Sequence, residues 1–160
     1  MRRTSFEAMN CSVARTLEVV GEWWSLLIVR DALLGVRRFD DFQQRLGISR
    51  NILTQRLQRL VEQDVLARVP YQDNPPRYEY VLTAKGRDLW LVLAAMRQWG
   101  DQWEPLEAGT MAVLVHRAGC GQEMTVVPTC SECGAVVTRE DLRLLPGPAS
   151  DGSVLPVPRH

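Results

Sequence analysis

The sequence lacks the residues and motifs that the commonest enzyme and membrane-protein classes require. It has only two histidines, His116 and His160, so a histidine-based catalytic triad has almost no material. It has no G-x-x-x-x-G-K-[ST] phosphate loop and no G-x-G-x-x-G nucleotide motif. Its longest apolar run, from Leu89 to Met96, is far shorter than the roughly 20 residues that cross a bilayer. We therefore predict a protein that is not an enzyme and has no membrane span.

The amino-terminal segment also lacks a secretory signal. Arg2 and Arg3 are followed by polar residues and not by an apolar stretch, so we expect a cytoplasmic protein. In that reducing compartment, the four cysteines are expected to be thiols or metal ligands and not structural disulfides. The 160 residues suffice for one domain with a short appendage, and 46% of them are hydrophobic, as in ordinary folded domains.

The chain has no net charge, but its charges are unevenly distributed. Lysine and arginine exceed aspartate and glutamate by three over residues 1–103, and the acidic residues exceed the basic ones by three over 104–160. Residues 35–59 contain six arginines and only two acidic residues. This local excess of positive charge is compatible with a nucleic-acid partner, which the zero net charge of the whole chain would argue against.

The first third of the chain has the apolar spacing of short helices. A first helix is predicted behind Ser12, ending at Gly21, and the apolar run 23–29 predicts a second helix in the core. A short third helix is predicted from the spacing of its apolar residues, with Asp40 as its cap and Gly47 as its end.

A fourth helix, a hairpin and a long helix are predicted next. Ser49 caps the fourth helix, which has a stripe formed by Leu53, Leu57, Leu60 and Val61. Two β-prone runs, 65–69 and 78–82, flank the turn sequence QDNPPR, and Thr83 caps a helix over roughly 84–103. Two helices joined by the turn LGIS and followed by a hairpin make a winged helix-turn-helix. The predicted fold class is therefore mainly α with a small β-hairpin (α+β).

The run from Cys11 resembles a known family. It reads CSVARTLEVVGEWWSLLIVRDALLGVRRFDDFQQRLGISRNILTQRLQRLVEQDVLARVPYQDNPPRYEYVLTAKGRDL, and it is similar to the HxlR-type branch of MarR-like bacterial transcription regulators. Glu22 departs from the family, which usually has a second glycine there. The resemblance implies a homodimer that binds double-stranded DNA at an inverted repeat. It further implies a repressor that answers to a small-molecule, metal or thiol signal.

The predicted DNA-contacting residues lie on three segments. DNA reading needs cations for phosphates and amide or guanidinium groups at base edges, all on an element that fits the major groove. The fourth helix offers these groups, the hairpin turn offers Arg77, and Arg37 and Arg38 precede the third helix. The candidates on the fourth helix are Ser49, Arg50, Asn51, Thr54, Gln55, Arg56 and Arg59. The alternatives are a solvated surface, or a winged helix that binds protein, which the polar face disfavours.

The long helix over 84–103 carries apolar residues round much of its circumference. LWLVLAAM is followed by Trp99 and Trp103, which predicts two packing surfaces. One would cover the domain itself, and the other would meet a second copy, as in the family. The alternative is a helix that is simply buried in the core.

The remainder of the chain is predicted to form a tail. We expect a winged DNA-binding and dimerisation domain over 1–107, a small cysteine-rich tail over 108–145 and a disordered end over 146–160. The tail contains four candidate zinc ligands, of which the CSECG pair resembles a zinc knuckle and the first pair is a looser match. These ligands are His116, Cys120, Cys130 and Cys133. A redox-active dithiol and inert thiols remain as alternatives.

Cys11 precedes the first predicted helix. Its position matches a cysteine that some family members use to sense oxidants or electrophiles. Backbone amides at the start of a helix favour the thiolate, so a sensor is one interpretation. A small buried residue in the dimer region is the other.

Overall fold

The structure is a computed structural model that describes residues 11–148 together with Phe6, Met9 and Ser150. Within this part, five helices and one antiparallel hairpin follow in the predicted order. They are α1 (Ser12–Val20), α2 (Trp23–Leu33), α3 (Phe39–Leu46), α4 (Arg50–Glu62), β1 (Leu66–Gln72), β2 (Arg77–Leu82) and α5 (Ala84–Trp103). The α+β winged helix-turn-helix with a long final helix is thus confirmed. Most of the predicted disordered end, including His160, lies outside the described residues.

One hydrophobic core holds α2, α3 and α4 together. The predicted stripe of α4 is confirmed: Leu53, Leu57 and Leu60 have no exposed surface, and Val61 is partly buried against the same core. Ile28 of α2 and Phe42 of α3 are equally buried in the same cluster. Burial of a side chain of this size contributes about 1.5–3 kcal/mol. This packing fixes how the outer face of α4 is presented.

A buried carboxylate also links α2 to α3. Asp31 is fully buried, and its two oxygens accept hydrogen bonds from Arg30 Nε at 2.9 Å and Arg45 Nε at 3.3 Å. Both guanidinium groups remain about half exposed, so solvent still reaches the positive partners. The pair holds the first helix of the helix-turn-helix against the core.

Several helix ends follow local capping signals. Ser49 Oγ accepts a hydrogen bond from the Ile52 N–H at 3.3 Å, and Thr83 Oγ1 accepts one from the Gly86 N–H at 3.0 Å. Gly47 ends α3 in the left-handed region, with φ of 65°, which glycine adopts at little cost. The predicted Asp40 cap of α3 is wrong, because the helix begins at Phe39.

The segment before α3 is held by the wing, which explains where that helix begins. Arg38 forms an antiparallel bridge with Glu79 of β2, and the Tyr80 N–H donates to the Arg37 carbonyl at 2.8 Å. Extended backbone is therefore imposed on Arg38 by a distant strand. The wing and the helix-turn-helix consequently share a hydrogen-bonded base.

The hairpin meets α5 at a tight junction. Thr83 Oγ1 also donates to the Asp64 carbonyl at 2.6 Å, so one hydroxyl joins the chain before β1 to the start of α5. Gly86 lies against the same chain segment, and a Cβ there would overlap the Val65 carbonyl oxygen. In the part of the chain that the structure describes, no helix is long and apolar enough to cross a membrane.

Candidate nucleic-acid interface

The outer face of α4 presents the polar groups that base reading requires. Asn51, Thr54 and Gln55 are all exposed, while the opposite side of the same helix is anchored in the core. Gln55 Nε2 donates to Asn51 Oδ1 at 3.3 Å, so the two amides are paired one helical turn apart. Their free donors and acceptors face solvent on a rigid helix. The structure therefore brings these three predicted residues together on one surface.

Arg50 starts this helix and braces it against α3. Its Nη1 donates to Asp40 Oδ1 at 3.2 Å and to Gln43 Oε1 at 3.3 Å. Its guanidinium also lies 4.7 Å from the centroid of the Phe39 ring. Most of the side chain remains exposed, so its orientation is restricted while its charge stays accessible. Ser49, beside it, uses its hydroxyl as the helix cap.

The sequence predicts Arg59 on this exposed face and Arg56 at its flank, and in the structure both are paired with acidic residues before α2. Arg56 Nη2 lies 2.9 Å from Glu22 Oε2, and Arg59 Nη2 lies 3.7 Å from Glu18 Oε1. Both arginines are only partly exposed, because α1 and the turn into α2 cover this flank of α4. Their charges are directed at the carboxylates of the protein itself. Glu22, the departure from the family pattern, thus has a structural role.

Arg37 and Arg38 lie beside the wing. Arg37 Nη1 is 3.9 Å and Arg38 Nε is 3.5 Å from the carboxylate of Glu79. The guanidinium of Arg38 also lies 4.8 Å from the centroid of the Tyr71 ring. Both side chains remain more than half exposed, so the shared carboxylate orients them without covering them.

The wing carries one predicted cation and one that the sequence analysis misses. Arg77 is exposed at the start of β2, next to the turn. Arg68 on β1 is also exposed, and its guanidinium lies 3.5 Å from the centroid of the Tyr78 ring. The sequence signal for Arg68 is an arginine inside a β-prone strand of the hairpin, outside the turn. Arg68 and Arg77 give the wing two accessible positive charges.

Exposed apolar residues occur round much of the circumference of α5 in the single chain. Leu89 and Leu93 pack on the core, whereas the opposite side of the helix is open. The alternative of a helix simply buried in the core is wrong, because only Gly86 and Ala94 of α5 are fully buried. The exposed apolar residues are Trp90, Leu91, Val92, Met96, Trp99 and Trp103.

The tail beyond α5 places the four predicted zinc ligands in two separate pairs. His116 Nδ1 and Cys120 Sγ are 3.8 Å apart in one hairpin turn. Cys130 and Cys133 lie in a second turn. The pKa of the Cys130 thiol is lowered from its ordinary value, most by the backbone N–H group of Cys133, less by that of Glu132 and least by the Cys133 side chain. Among the residues described, no three His, Cys, Asp or Glu side chains form a group that could hold a metal. Zinc binding stays a prediction.

Cys11 is the N-cap residue of α1, as expected from the sequence. Its thiol is free and its residue is partly exposed in the single chain. Its use as a sensor stays a prediction. Burial in a dimer is not tested by this exposure, so the second interpretation also stays a prediction.

A helix-turn-helix with a polar second helix, a wing with two exposed arginines and a long final helix defines a class, the winged helix-turn-helix transcriptional regulators. The family model of HxlR-like helix-turn-helix proteins matches residues 19–108. The chain belongs to the HxlR-like helix-turn-helix family, whose members are regulators and not enzymes.

Relatives share this chain over most of its length. Mb3122 of Mycobacterium bovis, an uncharacterized HTH-type transcriptional regulator, is 44% identical over 137 residues, which are 86% of each chain. The structure of PA1607, a candidate transcription factor, has 41% identity and a TM-score of 0.78, and the match covers 88% of this chain and 97% of its own. PA1374 from Pseudomonas aeruginosa has 45% identity and a TM-score of 0.62, with 88% and 94% covered. The family model ends at residue 108. The two structural matches each cover 88% of the chain, which is more than residues 1–108 contain, so both extend into the tail.

Proposed function

We propose that this transcriptional regulator is a homodimer that binds an inverted-repeat operator and represses transcription there. The observation that carries the proposal is the exposed Asn51 and Gln55 amide pair on the outer face of α4. Amide side chains make bidentate contacts with adenine in the major groove, and a helix held by a buried stripe presents them in one orientation. Base contacts by Asn51, Thr54 and Gln55 would select the sequence.

The arginines around α4 would supply phosphate contacts. Arg50 at the start of α4, Arg37 and Arg38 beside the wing, and Arg68 and Arg77 on it are all accessible cations. Phosphate contacts position a protein on DNA without reading its sequence. The wing arginines would lie over the neighbouring minor groove or its phosphates.

The exposed apolar residues of α5 support a dimer. Trp90, Trp99 and Trp103 are about half exposed or more, and large apolar patches on a single chain commonly mark an interface. A twofold dimer through α5 would present two copies of α4 to half-sites roughly 34–36 Å apart. We further propose that a small-molecule, metal or thiol signal sets the affinity for DNA, as the family resemblance implies.

The decisive experiment is selection of bound sequences from random DNA with the purified full chain. We expect an enriched inverted repeat, and a single half-site or no enrichment would contradict the proposal. Asn51→Ala and Gln55→Ala should then relax the preference at particular base pairs by about 1–3 kcal/mol. Gln102→Ala, an exposed glutamine on α5, is the matched control and should leave the preference unchanged.

The dimer is tested separately by sedimentation at micromolar concentration. Trp99→Ala should shift the chain toward monomer and weaken operator binding. Tyr71→Ala removes a partly exposed aromatic from the wing and should leave the assembly intact. A wild-type chain that sediments as a monomer would contradict the dimer while leaving DNA recognition open.

A reporter gene downstream of the selected operator tests repression. Expression should fall when the wild-type chain is produced, and it should not fall when Gln55→Ala is produced at the same level. Increased expression with the wild-type chain would make the protein an activator.

A further inference from the structure

The two turns of the tail have the same backbone construction. In each turn, the first candidate ligand closes the hairpin with its own N–H group: His116 donates to the Gln122 carbonyl at 3.0 Å, and Cys130 donates to the Ala135 carbonyl at 2.9 Å. In each turn, a glycine follows the second ligand directly. Gly121 and Gly134 have φ of 71° and 73°, and their N–H groups donate back to the carbonyl of the first ligand at 3.1 and 2.8 Å. The His116 and Cys120 turn therefore has the same backbone hydrogen bonds as the Cys130 and Cys133 turn, although its sequence resembles a zinc knuckle less closely.

This shared construction suits two ligands for one metal ion. A left-handed glycine after the second ligand lets the chain curl back, which suits a turn that directs two ligands toward one ion.

The first pair has the spacing of a tetrahedral zinc site. With Zn–N of about 2.1 Å and Zn–S of about 2.3 Å, two ligands of one tetrahedral ion lie roughly 3.6 Å apart. His116 Nδ1 and Cys120 Sγ are 3.8 Å apart. Gly119 makes this possible, because its missing side chain leaves room for the imidazole: a Cβ there would overlap the His116 ring.

We propose that the tail binds one zinc ion per chain through His116, Cys120, Cys130 and Cys133. Two thiolate-bearing turns and an imidazole are a donor set that zinc prefers over calcium or magnesium. Because no three of these donors lie together in the described residues, the ion must draw two preformed halves into contact. Metal binding and closure of the tail are then one process, as in other small zinc modules.

The connection between the turns favours closure within one chain. Nine residues separate Cys120 from Cys130, and Val126 near the middle of this linker is fixed on α5. Gln98 Oε1 accepts a hydrogen bond from the Val126 N–H at 2.7 Å, and Gln98 Nε2 donates to the Val126 carbonyl at 3.2 Å. Both turns thus extend from one point of the linker that is anchored on α5.

The test measures metal content of the full chain after purification without chelator and after reconstitution with Zn²⁺. We expect about one equivalent per chain, with Cys130→Ser and Cys133→Ser losing it. Cobalt in place of zinc should give the absorption bands of a tetrahedral thiolate site. Cys11→Ser, which changes a cysteine outside the tail, should retain the full equivalent.

The glycine variants separate the proposed geometry from nonspecific thiol binding. Gly119→Ala keeps every ligand but displaces the His116 ring, so the zinc dissociation constant should rise about 10-fold or more. Gly147→Ala has open space around the added Cβ and should not change it. Operator binding by all variants verifies that the winged domain is folded. Less than a tenth of an equivalent after reconstitution, half an equivalent shared between two chains, or equal effects of the two glycine variants would overturn the proposal.

Discussion

Alanine at Gly86 and at Gly100 should have opposite effects on stability, although both glycines lie in α5. Alanine in a helix interior is more favourable than glycine by up to about 1 kcal/mol, and this gain applies at Gly100, where the added Cβ meets nothing within 4 Å. At Gly86 the Cβ would overlap the Val65 carbonyl oxygen, which is backbone and also accepts hydrogen bonds from Thr83.

The start of α5 must therefore move away from the chain before β1. Overpacking of this kind costs about 1–3 kcal/mol. Since both variants share the helix-propensity gain, the difference between them isolates the contact and should be about 1–3 kcal/mol, with Gly86→Ala the less stable.

Urea unfolding followed by circular dichroism measures this difference. All proteins must be compared at one concentration, because assembly stabilises the folded state by mass action. The midpoint should move down for Gly86→Ala and up for Gly100→Ala, with similar slopes. If Gly86→Ala were as stable as Gly100→Ala, the tight junction between Val65 and α5 would not exist in solution.

Three further predictions concern α4 and the wing. Ser49→Ala removes the cap of α4 and should cost about 1 kcal/mol of unfolding free energy, and Ser49→Asp should restore most of it. Arg59→Ala should lower the free energy of unfolding by about 0.5–1 kcal/mol, because its ion pair with Glu18 is lost. The base preference in the DNA selection should not change, and a changed preference would show that Arg59 contacts DNA. Arg68→Ala should weaken binding to all DNA sequences alike and reduce the slope of log affinity against log salt by about 1, as titrations at several salt concentrations would show.

Features that depend on a few consecutive residues are predicted correctly from the sequence. Ser49 and Thr83 cap helices because their hydroxyls reach N–H groups three residues ahead, and Gly47 supplies a left-handed residue at a helix end. The spacing of the leucines on α4 likewise identifies the buried side. Each of these signals lies within the element that it describes.

Features that depend on distant segments are not predicted. A helical pattern leaves Arg59 on an outer face, but Glu18 of α1 draws it inward, and that contact spans 41 positions of the chain. Arg38, and not Asp40, occupies the N-cap position of α3, because its backbone is bridged to Glu79 of the wing. The carbonyl that Gly86 meets also comes from another segment. Residue types and periodicity contain no information about which segments meet.

The hydrogen-bonded base between Arg38 and Glu79 has a consequence for how DNA shape would be sensed. The wing is hydrogen-bonded to the chain at the start of α3, and α3 packs on α4. The distance between the wing and α4 is therefore fixed when both approach the double helix. With α4 seated in the major groove as proposed, the wing arginines reach a fixed height over the adjacent minor groove. Sites whose minor groove is narrow at that position, as in A-tracts, would then be favoured even where no side chain touches a base.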